Sequence, residues 1–512
     1  MEEQRPAGRR APACIDDISP VDRARLRLTL ASMQLMDAQP SAAVGHARGV
    51  GEQAGLTDDV YAEAEVTMLT ALVMGGDLAA ARRRAEAILG GRTRPQCDAT
   101  MAGALTVLAL VAWTDGRTAD ALALLRSAVQ RADASPDRSR PLHPRLGAAY
   151  VLTTMGEFEA AGTLAAEAQD EIDAAGDAEW AAGPAIVLAQ MSLAAGRLDA
   201  AVAHAQRARE LAARRARFFV PASEWLLAVA ALHVGDLSAA AAHVDGYRAA
   251  TAGRYGRAGW FSPGAYLWVE ARLADARGDR DGAAAVLRPV LDHVFDHRRL
   301  LVDEPAAAAW LARTALAVGD RPGAEAVVAC ADHLAVANPT VAHLVAGARQ
   351  VRALLDVDAA ALAASAEGYR QPWARASALE DAAVVHAAGG EGDRARALLD
   401  RAVAAYRRAG AARDAARVTA RIGDLSTRRG RPRRGSRPVE GWRSLTDAER
   451  RVARVIADGR TNAEAAGALC LSRHTVDFHL RQIFRKLGIR SRVDLARIAI
   501  EHRVARAESE PT

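Results

Sequence analysis

The chain has 512 residues, 50% hydrophobic and 25% charged, with aromatics at only 4% and a formal net charge of +5. This length exceeds one core of ordinary size, and the balance excludes an intrinsically disordered chain. No apolar run is expected to approach the ~18 residues of a membrane span, and Met1 to Ala13 carries Arg5, Arg9 and Arg10 with no apolar centre, unlike a secretory signal. A cytoplasmic location with no membrane partner is the expectation.

Charge and residue usage narrow the chemistry. Residues 441–505 hold 13 Arg or Lys against seven acids, and 425–440 hold six Arg against one Glu, whereas residues 1–424 carry net −5. A basic C-terminal block on an acidic body points to a polyanionic partner for that block. Lys486 is the only lysine. A phosphate-binding loop of the GxxxxGK[ST] type is therefore absent, and Schiff-base chemistry lacks its residue outside the basic block. Cys14, Cys97, Cys330 and Cys470 are scattered without CxxC spacing and are expected as buried thiols. No nucleophile–base pair stands out. The expectation is a protein that is not an enzyme and holds no cofactor or metal.

In chain order, residues 1–21 are expected to be disordered. Residues 22–424 then repeat one pattern: an apolar helical run, a Gly, spacers, and a pair of small residues opening a second helix. The glycines are Gly76, Gly116, Gly156, Gly196, Gly235, Gly278, Gly319 and Gly392, with weak copies near Ala38 and Val357. Most spacings are close to 40. Gly permits the left-handed turn that ends one helix, and small residues let the next pack closely. One such pair cannot bury its apolar face alone, so the pairs must stack. The predicted fold is all-α, a helical solenoid followed by a small four-helix domain. The repeat pattern resembles tetratricopeptide repeats, though longer than their usual ~34 residues, and a HEAT-like unit stays open.

Two local features stand out within the repeats. Nine aromatics (Phe218, Phe219, Trp225, Tyr247, Tyr255, Trp260, Phe261, Tyr266 and Trp268) cluster within 51 residues and are a candidate effector groove, against the plainer reading of packing. His293 and His297 have the i, i+4 spacing of metal ligands, but a charged helix end explains them better. The Arg-, Pro- and Gly-rich stretch 425–440 reads as a flexible basic linker.

Residues 441–505 carry four helical patterns. Thr446 with Glu449, Thr461 with Glu464 and Ser491 with Asp494 have the spacing of capping boxes, Ser472 caps the third helix, and Gly459 and Gly488 stop the first and third. In the third, Val476, Leu480, Ile483 and Leu487 form an inward stripe. Arg473, Asp477, Phe478, Arg481 and Arg485 lie opposite, with Thr475 near the N-terminal end. An Arg-rich helix of this kind suits the major groove, where Arg pairs with guanine and phosphate.

These residues (Leu445-Thr446, Glu449, Gly459, Asn462, Ala466, Leu471-Ser472, Thr475-Val476, His479, Ile483, Lys486-Leu487 and Arg492) resemble the LuxR-type helix-turn-helix domain of bacterial transcription regulators. The resemblance implies base contacts by Phe478 and Arg481, and backbone contacts by Thr475, His479 and Lys486. It also implies dimerisation through the fourth helix. Asp477 departs from the usual Lys, and an acid there could accept from cytosine N4. Ala465 replaces a larger aliphatic residue, which predicts looser packing of the second helix. The chain as a whole resembles the large LuxR regulators that join an ATPase to a tetratricopeptide superhelix, without the ATPase. The expected partners are promoter duplex DNA, a second copy of the chain, RNA polymerase, and a small-molecule or protein effector on the repeats. The competing reading is an interaction scaffold whose C-terminal module only dimerises.

Overall fold

A computed structural model describes residues 19–93, 97–134, 142–251, 262–429, 442, 445, 447–469, 473–489 and 491–507. The described chain is helical throughout, without strands, and divides into two compact units, Met1–Ser426 and Thr427–Thr512.

In the first unit the helices run as antiparallel pairs. The opening pairs are Pro20–Met36 with Pro40–Gly51, Asp58–Met74 with Leu78–Leu89, and Asp98–Thr114 with Thr118–Ala134. The series closes with Pro372–Ala388 and Gly392–Arg408, followed by Ala412–Arg429. The turn inside each pair is left-handed: at Gly76, Gly116, Gly156, Gly196, Gly235, Gly278 and Gly319 as expected, and at Ala38 and Val357 where the weak copies were placed. Five residues after each turn comes a fully covered side chain, for example Ala43, Ala81, Ala121, Ala161, Ala201, Ala240, Ala283 and Ala324. A methyl there lets the second helix lie close on the first.

The last repeat departs from the expected register. Gly390, not Gly392, takes the left-handed turn (φ +83), and Gly392 is the first residue of the following helix. Counting from Gly390 puts the buried Ala395 at the fifth position, so packing register decides which glycine turns.

Successive turns of the superhelix touch. Asn338, 1% exposed, accepts from the Thr118 backbone N–H (2.9 Å) and donates to the Gly116 carbonyl (2.6 Å). Trp113 Nε1 donates to Asp303 (3.0 Å), and Gln371 Nε2 donates to the Thr154 carbonyl (3.2 Å). Repeats about five units apart thus meet. Gly116 serves both requirements: its φ is +79, and a Cβ there would collide with Leu334.

Three further expectations are adjusted. Arg217–Val234, 18 residues of mean hydropathy 1.2, is long and apolar enough to span a membrane, contrary to the expectation that none would be. It is mostly buried, with Phe219, Trp225 and Leu226 covered, so its apolarity reflects neighbours on every side. The segment expected as linker from residue 425 is still helical to Arg429, because no Gly or Pro intervenes before Gly430. His293 and His297 sit at helix ends as expected, but flank the turn between Arg280–Asp292 and Arg298–Asp303, so they do not share one helix face. Cys330 is buried and its thiol is pushed up to about 12 by that burial, while Cys97 is a half-buried free thiol. Cys14 and Cys470 fall outside the described residues.

Of the nine clustered aromatics, Phe218, Phe219, Trp225, Tyr266 and Trp268 are buried, and Tyr247 stacks on Tyr266 with centroids 3.5 Å apart. Tyr255, Trp260 and Phe261 lie outside the described residues.

Candidate nucleic-acid interface

The second unit builds its core from four short helices: Asp447–Ala457, Asn462–Leu469, Arg473–Leu487 and Arg492–Ala507. Trp442, Leu445, Val452, Ile456, Ala465, Val476, Leu480, Ile483 and Leu495 are buried together. The third helix contributes Val476, Leu480 and Ile483, spaced i, i+4, i+7, and Leu487 packs at the edge. One side of that helix is therefore committed to its own bundle. Ala465 is fully covered, so the smaller side chain still closes the core.

Local sequence sets the helix ends. Thr461 and Glu464 form the expected reciprocal cap: the Glu464 carboxylate accepts from the Thr461 N–H (2.8 Å), and Thr461 Oγ1 accepts from the Glu464 N–H (3.3 Å). That backbone hydrogen bond, with the Thr461 hydroxyl, holds the Glu464 carboxyl below its ordinary value. Ser491 Oγ accepts from the Asp494 N–H at 3.1 Å. Gly459 (φ +87) and Gly488 (φ +66) end the first and third helices. Thr446 and Ser472 lie outside the described residues.

The candidate contact residues fall into three groups. Arg481 is exposed, and among the described residues no ion pair holds it. Asp477 and His479 are half-buried. For Arg473, Thr475, Phe478 and Arg485 the helical backbone is described but their side chains are not.

Two expected contacts turn inward. Lys486 Nζ donates to both carboxylate oxygens of Glu449, at 2.8 and 2.7 Å, and so braces the third helix against the first. Glu449 is only 7% exposed at its side chain, so the sole lysine of the chain meets a buried carboxylate. The Glu449 carboxylate, expected to cap its own helix, thus also serves a tertiary contact. Asp477 accepts from Asn462 Nδ2, and Asn462 Oδ1 in turn accepts from Arg492. This relay joins the starts of the second and fourth helices to the third. Asn462 and Arg492 matched the family pattern in the sequence but carried no assigned role; each opens a helix. Among the described residues no cluster of three or more metal-ligating side chains occurs.

Comparison with known proteins agrees with this geometry. Residues 443–499 match the bacterial regulatory proteins of the luxR family. A protein of Mycobacterium bovis named as an HTH-type transcriptional regulator is 46% identical over 67 residues, 13% of this chain and 8% of its own length. The transcriptional regulatory protein MctR of Rhizobium johnstonii is 37% identical over 68 residues, 13% of this chain and 32% of its own. The chain therefore spans well under two thirds of the curated relatives it matches. Among solved structures, a Rap protein complexed with competence and sporulation factor aligns with 76% of this chain and 99% of its own at a TM-score of 0.40 and 10% identity. The Cut9–Hcn1 hetero-tetramer of APC/C aligns with 80% and 91% at 0.33 and 12%.

Proposed function

We propose, for a chain whose residues 443–499 are a LuxR-family helix-turn-helix domain, that the whole protein is a sequence-specific DNA-binding transcription regulator acting in the cytoplasm. The observation that carries this is the two-sided third helix, with Val476, Leu480 and Ile483 locked in the bundle and Arg481 left in solvent. Arg481 with Arg473, Phe478 and Arg485 would meet base edges or phosphate, and Thr475 and His479 the backbone. Asp477 would act near cytosine N4 only if its bond to Asn462 exchanges. Lys486 is assigned a bracing role, with its remaining donor available to phosphate.

Helix Arg492–Ala507 leaves Val493 and Ile500 exposed, at 78% and 57%, seven residues apart on one side. That apolar stripe supports a homodimer on paired half-sites. The repeat unit would serve as effector or protein-interaction domain, and RNA polymerase is the natural further partner of a promoter-bound dimer.

The test is anisotropy of labelled promoter fragments with the full-length protein across a salt series. The expected log K falls linearly with log salt, by ~0.9 per phosphate neutralised, with discrimination against scrambled duplex. Absence of duplex binding at low salt would overturn the reading.

A further inference from the structure

Inside the superhelix lies a cavity of about 70 Å³ whose wall includes Trp225, His233, Trp268, Arg272, Gln371 and Trp373. Besides Gln190 Oε1 and Asp303 Oδ2, three polar atoms of that wall have no hydrogen-bond partner: His233 Nδ1, Trp268 Nε1 and Gln371 Oε1. Each belongs to a side chain more than nine-tenths buried, at 8%, 1% and 5% exposed. Leaving such atoms unmet costs about 1–3 kcal/mol apiece, so a cluster of three around one space points to an occupant.

The fourth feature is a cation. The Arg272 guanidinium is 7% exposed and sits 4.6 Å from the centroids of both the Trp268 and Trp373 rings, which meet edge-to-face 6.3 Å apart. Among the described residues no carboxylate lies within ion-pair distance of it. Asp414, the nearest strong influence, is committed to Trp373 Nε1 (2.9 Å) and Arg417 (3.1 Å). Asp303 is paired with Arg299 at 3.2 Å. The two indoles hold the guanidinium by cation–π contact, and among the described residues no hydrogen bond engages its donors.

We propose that this cavity binds a small hydroxycarboxylate, its carboxylate received by Arg272 and Trp268 Nε1 and its hydroxyl donated to Gln371 Oε1. The donor set fits: Gln371 Nε2 donates to the Thr154 carbonyl, and its unpartnered Oε1 belongs to the cavity wall as an acceptor. Burial drives the His233 ring down to about 3, so it stays neutral and adds one donor or acceptor without charge. Glu304 also lines the space and acts on Arg272, but burial pushes its carboxyl up to about 8, so the one positive charge suits a monoanion, whereas a dianionic phosphate would add a charge beside Asp303 and Glu304. The cavity size limits the ligand to a few heavy atoms.

Binding at this site is independent of the DNA reading, and only its role as effector rests on that reading. The probes are lactate, acetate, lactamide and inorganic phosphate, titrated into the full-length protein by calorimetry. Saturable lactate binding is expected, weaker for acetate and absent for lactamide. Arg272→Met, which keeps the stem beside the indoles, should weaken lactate ~10- to 100-fold. Trp268→Phe removes the N–H with little change of shape and should weaken it ~3- to 10-fold, which keeps the test valid if the first variant misfolds. Gln371→Leu should bring lactate to the level of acetate. No saturable binding of any carboxylate, equal affinity in Arg272→Met and Trp268→Phe, or a preference for phosphate or lactamide would overturn the proposal and leave the polar atoms to water. A lactate effect on promoter affinity, measured separately, tests the effector role.

Discussion

In the repeat unit Arg313 reaches Asp381 at 2.6 Å, and Arg417 and Arg421 both reach Glu380, each with a contact of 2.8 Å. In the C-terminal unit Arg481 stands in solvent without an ion pair among the described residues. The same side chain serves opposite ends. Where the acids of the acidic body are near, guanidinium is consumed in tying repeats together, as when Arg145 gathers Asp133, Glu167 and Glu171. Where the sequence thins its acids, the charge stays available to an outside polyanion. The net charge of +5 over the whole chain does not separate these two tasks, whereas the charge of each region does.

The largest way to break this contrast is Glu380→Ala. Glu380 is 8% exposed and accepts from Arg417, Arg421 and the Tyr406 hydroxyl (3.1 Å). Burial raises its carboxyl, but the Arg417 hydrogen bond and both arginine charges bring it below the ordinary value. Removing it should cost the repeat unit about 2–4 kcal/mol, less than a fully buried pair because the arginines reach solvent. Denaturant unfolding measures this, and duplex binding should persist.

Next is Arg481→Ala, expected to lose about 1–3 kcal/mol of specific duplex affinity with no change in unfolding midpoint. An unchanged affinity would remove Arg481 from the interface. Glu449→Gln should cost the C-terminal unit roughly 1 kcal/mol through the Lys486 brace. It would sharpen the comparison by showing that this cation belongs to the repeat-like, structural class.

Stability should also depend on pH. Burial pushes Glu304 up to about 8 and Glu179 up to about 7, from an ordinary 4.5. Between those values the unfolded chain has released protons that the folded chain still holds. This stabilisation is full below 4.5 and is lost as pH rises through 7 and 8. Buried, neutral His233 and His343 oppose this loss up to about pH 6.5, so thermal midpoints should fall from pH 6.5 to pH 8, less steeply in Glu304→Gln. A flat profile in both proteins would show that Glu304 ionises freely in the fold.

The helix ends, the inward stripe of the third C-terminal helix and most repeat turns were legible in sequence. Each follows from local chemistry: a Gly that can turn left-handed, a Thr and Glu three apart, apolar residues at helical spacing. The Gly390 turn was not, since two nearby glycines are locally equivalent and only Ala395 packing chooses between them. The aromatic cluster left a groove and plain packing open, and Phe218, Phe219, Trp225, Tyr266 and Trp268 are buried. The Arg272 contact joins Trp268 to Trp373, more than a hundred residues further along the chain.

By itself, then, the sequence determined helices, their caps, the stacking of repeats and a basic module at the C-terminal end, because these depend on neighbours a few residues away. Only the tertiary structure decided which cations are spent and which are free. Asn338 meets Gly116, and Lys486 meets Glu449, because winding the repeats and closing the small bundle brings distant segments within hydrogen-bonding reach. Partner choice at that distance depends on burial and geometry, which no local pattern encodes.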